Sequence, residues 1–287
     1  MSGSGSNGLR VPDSLYDEWP AEREWLERLP QLAAECAAGW DLDLEQPFDV
    51  PRSLVVPAGD AVLKLNAPSH IDADHEADAL AAWNGHGAVR LLARDDERQA
   101  LLLERCVPGL TLAESDVDEL PVMLALLERL PHTAADGHPF RLLADEAHRW
   151  AEDVPRRWEE GGRPFERLLL DTALDVYGSV DGDARSLVNQ DLHAWNVLRA
   201  EREPWLAIDP KPLVGERELD GVGPLRNAAF SGEREQVRRW LDALTGLGMD
   251  RERLRGWGIA HALAWGVDAT GQWSTLSIDA ARTISRA

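Results

Sequence analysis

Asn189-Gln190-Asp191-Leu192-His193-Ala194-Trp195-Asn196, followed shortly by Trp205-Leu206-Ala207-Ile208-Asp209-Pro210-Lys211-Pro212, is the stretch on which the reading of this chain turns. Two short runs, Asn196–Ala200 and Trp205–Asp209, flank a polar loop at 201–204 and predict a β-hairpin. A register symmetric about that loop faces Asn196 with Asp209 at the open end, with Cβ atoms within about 5 Å. The following Pro210 biases Asp209 toward an extended backbone and ends the strand there. An amide oxygen opposite a carboxylate is a pair of hard donors, suited to a magnesium ion that keeps waters and binds nucleotide phosphates. Asp191, five residues before Asn196, lies in the polar loop that feeds the hairpin, where a carboxylate can take the proton of an attacking hydroxyl. The D-x-x-x-x-N spacing is common by itself and gains meaning only from its surroundings.

Working outward, the next chemistry-bearing pair is Lys64 and Glu76. Ser53–Val56 and Ala61–Leu65 flank a Pro57-Ala58-Gly59-Asp60 turn and predict a hairpin, with Lys64 in its second strand. On a helix predicted over 70–84, Ala73, Glu76, Ala77, Leu80 and Trp83 share one apolar stripe. A lone carboxylate there is costly unless paired, and Lys64 is the available partner. Such a pair facing a cleft holds an ammonium against nucleotide phosphates in kinase-like folds, although a structural ion pair has the same pattern. Lys64 and Lys211 are the only lysines among 30 basic residues, and both fall inside these motifs. Lys211 is expected at a phosphate, against the alternative of a solvated turn lysine. His193 reads as a structural loop histidine.

The rest of the chain supplies the frame. A second hairpin is predicted from Ala88–Ala93 and Ala100–Arg105 about an Asp95-Asp96-Glu97 turn. Helices are predicted over 15–38 (one or two), 116–130, 141–160, 163–178, 233–245, 251–267 and 275–285, with a strand-rich island at 186–214. The fold class is α+β: a small sheet-rich lobe over 1–105, whose residues 1–12 form a flexible tail, and a larger helical lobe over 106–287. A cleft is expected between them, with the crossover near 104–110. The chain carries 51 acidic residues and a net charge of −21, which disfavours nucleic acid and anionic membranes and attracts a cationic small molecule. Two cysteines, Cys36 and Cys106, are too few for a disulfide framework. With no long apolar run and no leader-like opening, a cytoplasmic protein is expected. No Gly-Lys-Ser/Thr is present, which excludes a P-loop, and no G-x-G-x-x-G covers the phosphates.

The Asn189–Asn196 and Trp205–Gly215 stretches resemble the aminoglycoside phosphotransferase superfamily. Ile208-Asp209-Pro210-Lys211-Pro212 and Gly87-Ala88-Val89-Arg90-Leu91-Leu92 are similar to its streptomycin 6-phosphotransferase and hydroxyurea phosphotransferase branch. The similarity runs from about Trp40 to the C-terminal helices. It implies a bilobal protein-kinase-like fold with ATP in the cleft and a small-molecule hydroxyl as acceptor. Asp191 matches the catalytic aspartate, Asn196 and Asp209 the Mg2+ ligands, Lys64 the phosphate-contacting lysine and Glu76 its partner. Glu104 and Cys106, at the crossover, are expected on the nucleotide side, Cys106 through its backbone at the adenine edge. The superfamily pattern has His-Gly before the catalytic aspartate where this chain has Asn189-Gln190; an asparagine can still tie the loop backbone. The implied activity is O-phosphorylation of a streptomycin-like aminoglycoside. The other readings are a hydroxyurea-type or metabolic kinase and a nucleotide-binding protein without catalysis.

Overall fold

The computed structural model describes residues 8–70, 75–268 and 271–287. Helices α1 (Asp13–Glu18) and α2 (Arg23–Trp40) lead into strands β1 (Ser53–Ala58) and β2 (Ala61–Asn66), helix α3 (Glu76–Trp83), and strands β3 (Leu91–Asp95) and β4 (Ala100–Glu104). The strands form one antiparallel sheet in the order β1-β2-β4-β3. Gly59, at φ +60°, makes the two-residue turn that joins β1 to β2. The alternation of strand side chains decides what each face sees. Leu54, Val56, Leu63 and Leu65 pack with Trp25, Leu26, Leu29 and Ala33 of α2, so Lys64 points to the opposite face.

That opposite face belongs to a larger core. Leu101 and Leu103 of β4 and Leu80 and Trp83 of α3 join the same buried cluster as the C-terminal helices. The apolar core therefore runs continuously past residue 105. The expected flexible tail ends earlier than 12: Val11 is buried in the N-terminal cluster and Leu9 packs on it, while residues 1–7 lie outside the described residues. Within the predicted helix over 70–84, residues 71–74, Ala73 among them, also lie outside the described residues, and α3 begins only at Glu76 after a left-handed His75.

Beyond the crossover come α4 (Glu119–Arg129), α5 (Leu143–Glu160), α6 (Arg167–Gly178), β5 (Ser186–Asn189), β6 (Val197–Arg199), β7 (Trp205–Ala207), β8 (Pro212–Gly215), α7 (Val222–Phe230), α8 (Arg234–Gly246), α9 (Arg251–Ala264) and α10 (Thr275–Ser285). The strand-rich island is two separate antiparallel pairs, β5 with β8 and β6 with β7. The loop Gly87–Val89 clamps the second pair to the sheet lobe: Ala207 N donates to Gly87 O and Val89 N donates to Ala207 O.

Helix α7 has no counterpart among the expected helices, because Gly223-Pro224 reads as a break. Proline is tolerated in a first helical turn, where its missing N–H has no intrahelical partner. Gly223 is required by proximity: a Cβ there would lie 2.2 Å from the carbonyl oxygen of Leu192. The absent side chain lets α7 rest directly on the loop that carries Asp191. Gly223→Ala is expected to destabilise the fold by about 3 kcal/mol, the upper range for overpacking, because backbone must move. It should also lower kcat by displacing that loop. Urea denaturation and steady-state kinetics check both, and wild-type values for both would refute the close approach.

No helix among the described residues is long and apolar enough to cross a membrane.

Candidate active site

The chain's two lysines meet at one oxygen. Lys64 Nζ donates to Glu76 Oε1 at 2.7 Å and Oε2 at 2.8 Å, and to Asp209 Oδ1 at 2.7 Å. Lys211 Nζ donates to the same Asp209 Oδ1 at 2.8 Å. Lys64, Glu76 and Lys211 are 6%, 1% and 2% exposed, so Lys211 is no solvated turn lysine. Behind them Asn66 Nδ2 donates to Glu76 Oε2 at 3.1 Å, and Ser53 Oγ donates to Asn66 Oδ1 at 2.7 Å. Burial opposes each charge, yet the mutual attraction wins. Lys64 is held above the usual lysine range by Asp209 and Glu76, and Asp209 far below the usual carboxylate range by the two lysines. Lys64 and Asp209 both stay ionised at neutral pH.

The register of the β6–β7 hairpin differs from expectation by one residue. Arg199 pairs with Trp205, so five residues rather than four form the loop. Asn196 therefore stands opposite Ile208, whose N–H donates to Asn196 O at 2.9 Å. Asp209 lies one residue beyond the pair, at φ +50° rather than extended. The local bias imposed by Pro210 is overridden by the two ammonium groups gripping its carboxylate, an ionic anchor that backbone preference does not include.

Asp191 sits in a matching polar nest. Asn189 Oδ1 accepts from Asp191 N at 3.2 Å and from Lys211 N at 3.0 Å, so one amide ties the Asp191 loop to the Asp209–Lys211 segment. Asn189 N donates in turn to the buried Asp220 Oδ1 at 2.6 Å. The backbone-fixing role expected of an asparagine here is thus realised. Asn196 Nδ2 donates to Asp191 O at 3.1 Å, and His193 Nε2 stands 3.5 Å from Asp191 Oδ1.

Arg226 of α7, absent from the sequence reading, donates from Nη2 to Asp191 Oδ1 at 2.6 Å. Its guanidinium lies 5.4 Å from the Trp265 ring centroid and its Nη1 lies 3.3 Å from His261 Nδ1. His261 Nε2 faces Gln190 Oε1 at 3.2 Å. The residue in place of the superfamily glycine is therefore bound into the network beneath Asp191. Burial raises the Asp191 carboxyl, but His193 and Arg226 more than offset this and hold it below the usual range.

At the crossover, Arg202 from the β6–β7 loop donates to Glu104 Oε1 at 2.7 Å and Oε2 at 2.8 Å, and to the carbonyls of Gly85 and Ala88. Arg90 N also donates to Glu104 Oε2. The Glu104 side chain is thus a clasp between lobes, and its backbone N donates to Arg90 O at 2.9 Å. Burial, with Glu104 adding to it, pushes the Cys106 thiol up to about 12, so it is no nucleophile at neutral pH.

Asn196 and Asp209 fit a magnesium ion by donor type. The Asn196 amide nitrogen is committed to Asp191 O, which leaves the amide oxygen as its remaining polar group. Among the described residues there is no cluster of three or more His, Cys, Asp or Glu able to cage a metal. One or two protein oxygens completed by waters and phosphates is the way magnesium is usually bound.

Residues 45–274 match the family model described as aminoglycoside/hydroxyurea antibiotic resistance kinase. The chain belongs to this family. This kinase is 36% identical over 280 residues to the streptomycin 6-kinase of Streptomyces griseus, covering 91% of each chain. It is 38% identical over 258 residues to the hydroxyurea phosphotransferase of Kitasatospora aureofaciens, covering 85% of this chain and 74% of that one. Among solved structures, the choline kinase LicA of Streptococcus pneumoniae superposes with a TM-score of 0.62 at 11% identity, over 91% of this chain and all of the other. Aminoglycoside phosphotransferase APH(4)-Ia superposes with a TM-score of 0.61 at 18% identity, over 89% and 97%. The expected α+β kinase-like architecture is the observed one.

The kinase should lose stability early in acid. His261 is held well below its ordinary value and His70 down to about 4, both by burial first, with nearby cations adding to it. Both are neutral when folded, whereas the unfolded chain takes up protons below about pH 6.5. Stability contributed by their neutral state is therefore lost as pH falls from about 6.5 toward 4. The carboxylates Asp191 and Asp209, with lowered values, add their loss only below about pH 4. His132, raised mainly by Asp220, works the other way and loses its contribution as pH rises. Urea midpoints at pH 7, 6, 5 and 4 should fall steadily, and a flat profile to pH 5 would contradict the assignment.

Proposed function

We propose that this kinase transfers the γ-phosphoryl group of ATP to a hydroxyl of a small cationic acceptor, a streptomycin-like aminoglycoside. The observation that carries the proposal is Asp209, which gathers the chain's only two lysines beside the Asp191–Asn196 loop. The streptomycin 6-kinase relatives, 36% and 38% identical over 91% of this chain, support the acceptor class. The net charge of −21 suits a cation.

In this reading residues 1–105 carry the nucleotide and 106–287 the catalytic loop and acceptor. Lys64, oriented by Glu76, and Lys211 contact the nucleotide phosphates, and the backbone at Glu104 and Cys106 meets the adenine edge. Asn196 and Asp209 hold Mg2+, which neutralises charge on the phosphates when bound. Arg226 occupies Asp191 Oδ1 at 2.6 Å, so Oδ2, which has only a long 3.5 Å contact from Asn196 Nδ2, is the atom that accepts the proton of the acceptor hydroxyl. The acceptor oxygen bonds to the γ-phosphorus, the bridging oxygen leaves with ADP, and Asp191 passes its proton to solvent. Positioning and charge neutralisation supply most of the acceleration. Trp195, 55% exposed next to Asn196, offers a flat face for a cationic ring substituent. ATP as donor places the reaction in the cytoplasm, with no nucleic acid or membrane as partner.

A hydroxyurea-type acceptor is the second reading, favoured by the 38% identity to the hydroxyurea phosphotransferase. A coupled ADP-release screen with streptomycin, other aminoglycosides and hydroxyurea, with and without magnesium, separates the two. Magnesium-dependent turnover on streptomycin is expected. Turnover confined to hydroxyurea supports the second reading, and no turnover on any acceptor refutes both.

A further inference from the structure

Arg226 meets Asp191 with one nitrogen and a buried histidine with another. Its Nη2 donates to Asp191 Oδ1 at 2.6 Å, and its Nη1 lies 3.3 Å from His261 Nδ1. A guanidinium has donors only, so Nδ1 is the acceptor of that pair and the proton of the neutral imidazole is on Nε2. Nε2 stands 3.2 Å from Gln190 Oε1, to which it donates. The hydrogen bonds thus run from Arg226 to His261 and from His261 to Gln190, the residue immediately before Asp191. Together with the Gln190–Asp191 peptide they close a ring through α7 and α9.

The ring is braced on all sides. His261 is 0% exposed and Gln190 2% exposed. The imidazole packs on Trp265 at 4.5 Å between centroids and meets Trp150 at a near-perpendicular 6.0 Å, and the Arg226 guanidinium lies over the same Trp265. A carboxylate bonded through one oxygen turns as far as its partner turns, and arginine is a long side chain with about 2 kcal/mol of rotamer entropy. Arg226 fixes Asp191 only if it is itself fixed, and its second attachment, to His261, supplies that. We propose that His261 and Gln190 are positioning residues that lock the Arg226 guanidinium and, through it, the orientation in which Asp191 Oδ2 faces the acceptor hydroxyl. The inference rests on the assignment of Asp191 as the base and adds what holds that base in place.

The test uses the full chain with ATP, magnesium and streptomycin, and kcat is counted per AMP-PNP site found by titration calorimetry, so that unfolded protein does not enter. His261→Phe keeps an aromatic ring between Trp150 and Trp265 and removes both nitrogens. It is expected to lower kcat roughly tenfold or more, toward the hundredfold that a misplacement of about 1 Å can cost, with both KM values and the AMP-PNP affinity within about twofold of wild type. Gln190→Leu keeps the bulk, removes the acceptor oxygen and should do the same; it carries the comparison alone if the phenyl ring is not accommodated. Both substitutions open the same ring, so the double variant should be no slower than the slower single one. Wild-type kcat per site in the single variants overturns the proposal. Losses that multiply in the double variant also overturn it, because they mark independent packing effects, as does a change confined to KM or AMP-PNP affinity. Asp191→Asn in parallel separates the two levels: if it keeps full transfer, the base itself is misassigned, whereas its loss of transfer beside unimpaired His261→Phe and Gln190→Leu removes only the positioning role.

Discussion

Asp191→Asn should lower phosphoryl transfer by about a thousandfold, within the range for removing a general base, while nucleotide binding stays at the wild-type level. The amide keeps the shape of the side chain and can still accept from Arg226, but it has lost the basicity that takes the hydroxyl proton. Lys64, Glu76, Asp209 and Lys211 do not touch Asp191, so the phosphate contacts survive. Some stability is expected to go as well, because Arg226 is left facing a neutral partner in a nearly buried pair, 12% and 14% exposed at the side chains. Calorimetric titration of nucleotide beside single-turnover kinetics distinguishes these effects. Retained transfer would remove Asp191 from the mechanism; lost nucleotide binding would make its role structural.

The second large effect is at Asp209. Asp209→Ala leaves Lys64 its contact with Glu76 but strips Lys211 of the carboxylate it bonds, at 2% exposure. An uncompensated buried ammonium costs about 3–5 kcal/mol. The variant should therefore unfold at much lower urea and show no transfer. The double variant Asp209→Ala/Lys211→Met removes the stranded charge along with its partner. It is expected to regain much of the stability and none of the activity, because the carboxylate oxygen for magnesium and the Lys211 contact to phosphate are both missing. Recovery of activity in the double variant would mean that Asp209 acts only as a counter-ion for Lys211.

The sequence made part of this site legible because local periodicity carries direction. Alternation along β2 sends Lys64 away from the face of Leu63 and Leu65, and helical spacing puts Glu76 in line with Leu80 and Trp83, so their meeting follows from two short windows. The predicted helices past the crossover likewise have apolar stripes that survive in the fold. What escaped depends on contacts between distant residues. The hairpin register slipped by one because the ionic grip on Asp209 outweighs the preference of a residue before proline. Helix α7 was hidden because glycine and proline mark breaks locally, yet Gly223 serves close approach to Leu192 and Pro224 fits a first turn. With α7 unseen, Arg226 could not be placed on Asp191, 35 residues away. Glu104 was expected at the nucleotide from its position at the crossover, and only the fold reveals that Arg202 holds its side chain.

The central claim is that this protein phosphorylates a hydroxyl on a streptomycin-like acceptor with ATP. Phosphorus NMR of a reaction containing the protein, ATP, magnesium and streptomycin tests it most directly. The account predicts a new phosphomonoester signal that grows in step with ADP and is absent with Asp191→Asn. ATP left unchanged, or ADP appearing with inorganic phosphate and no monoester, would contradict it.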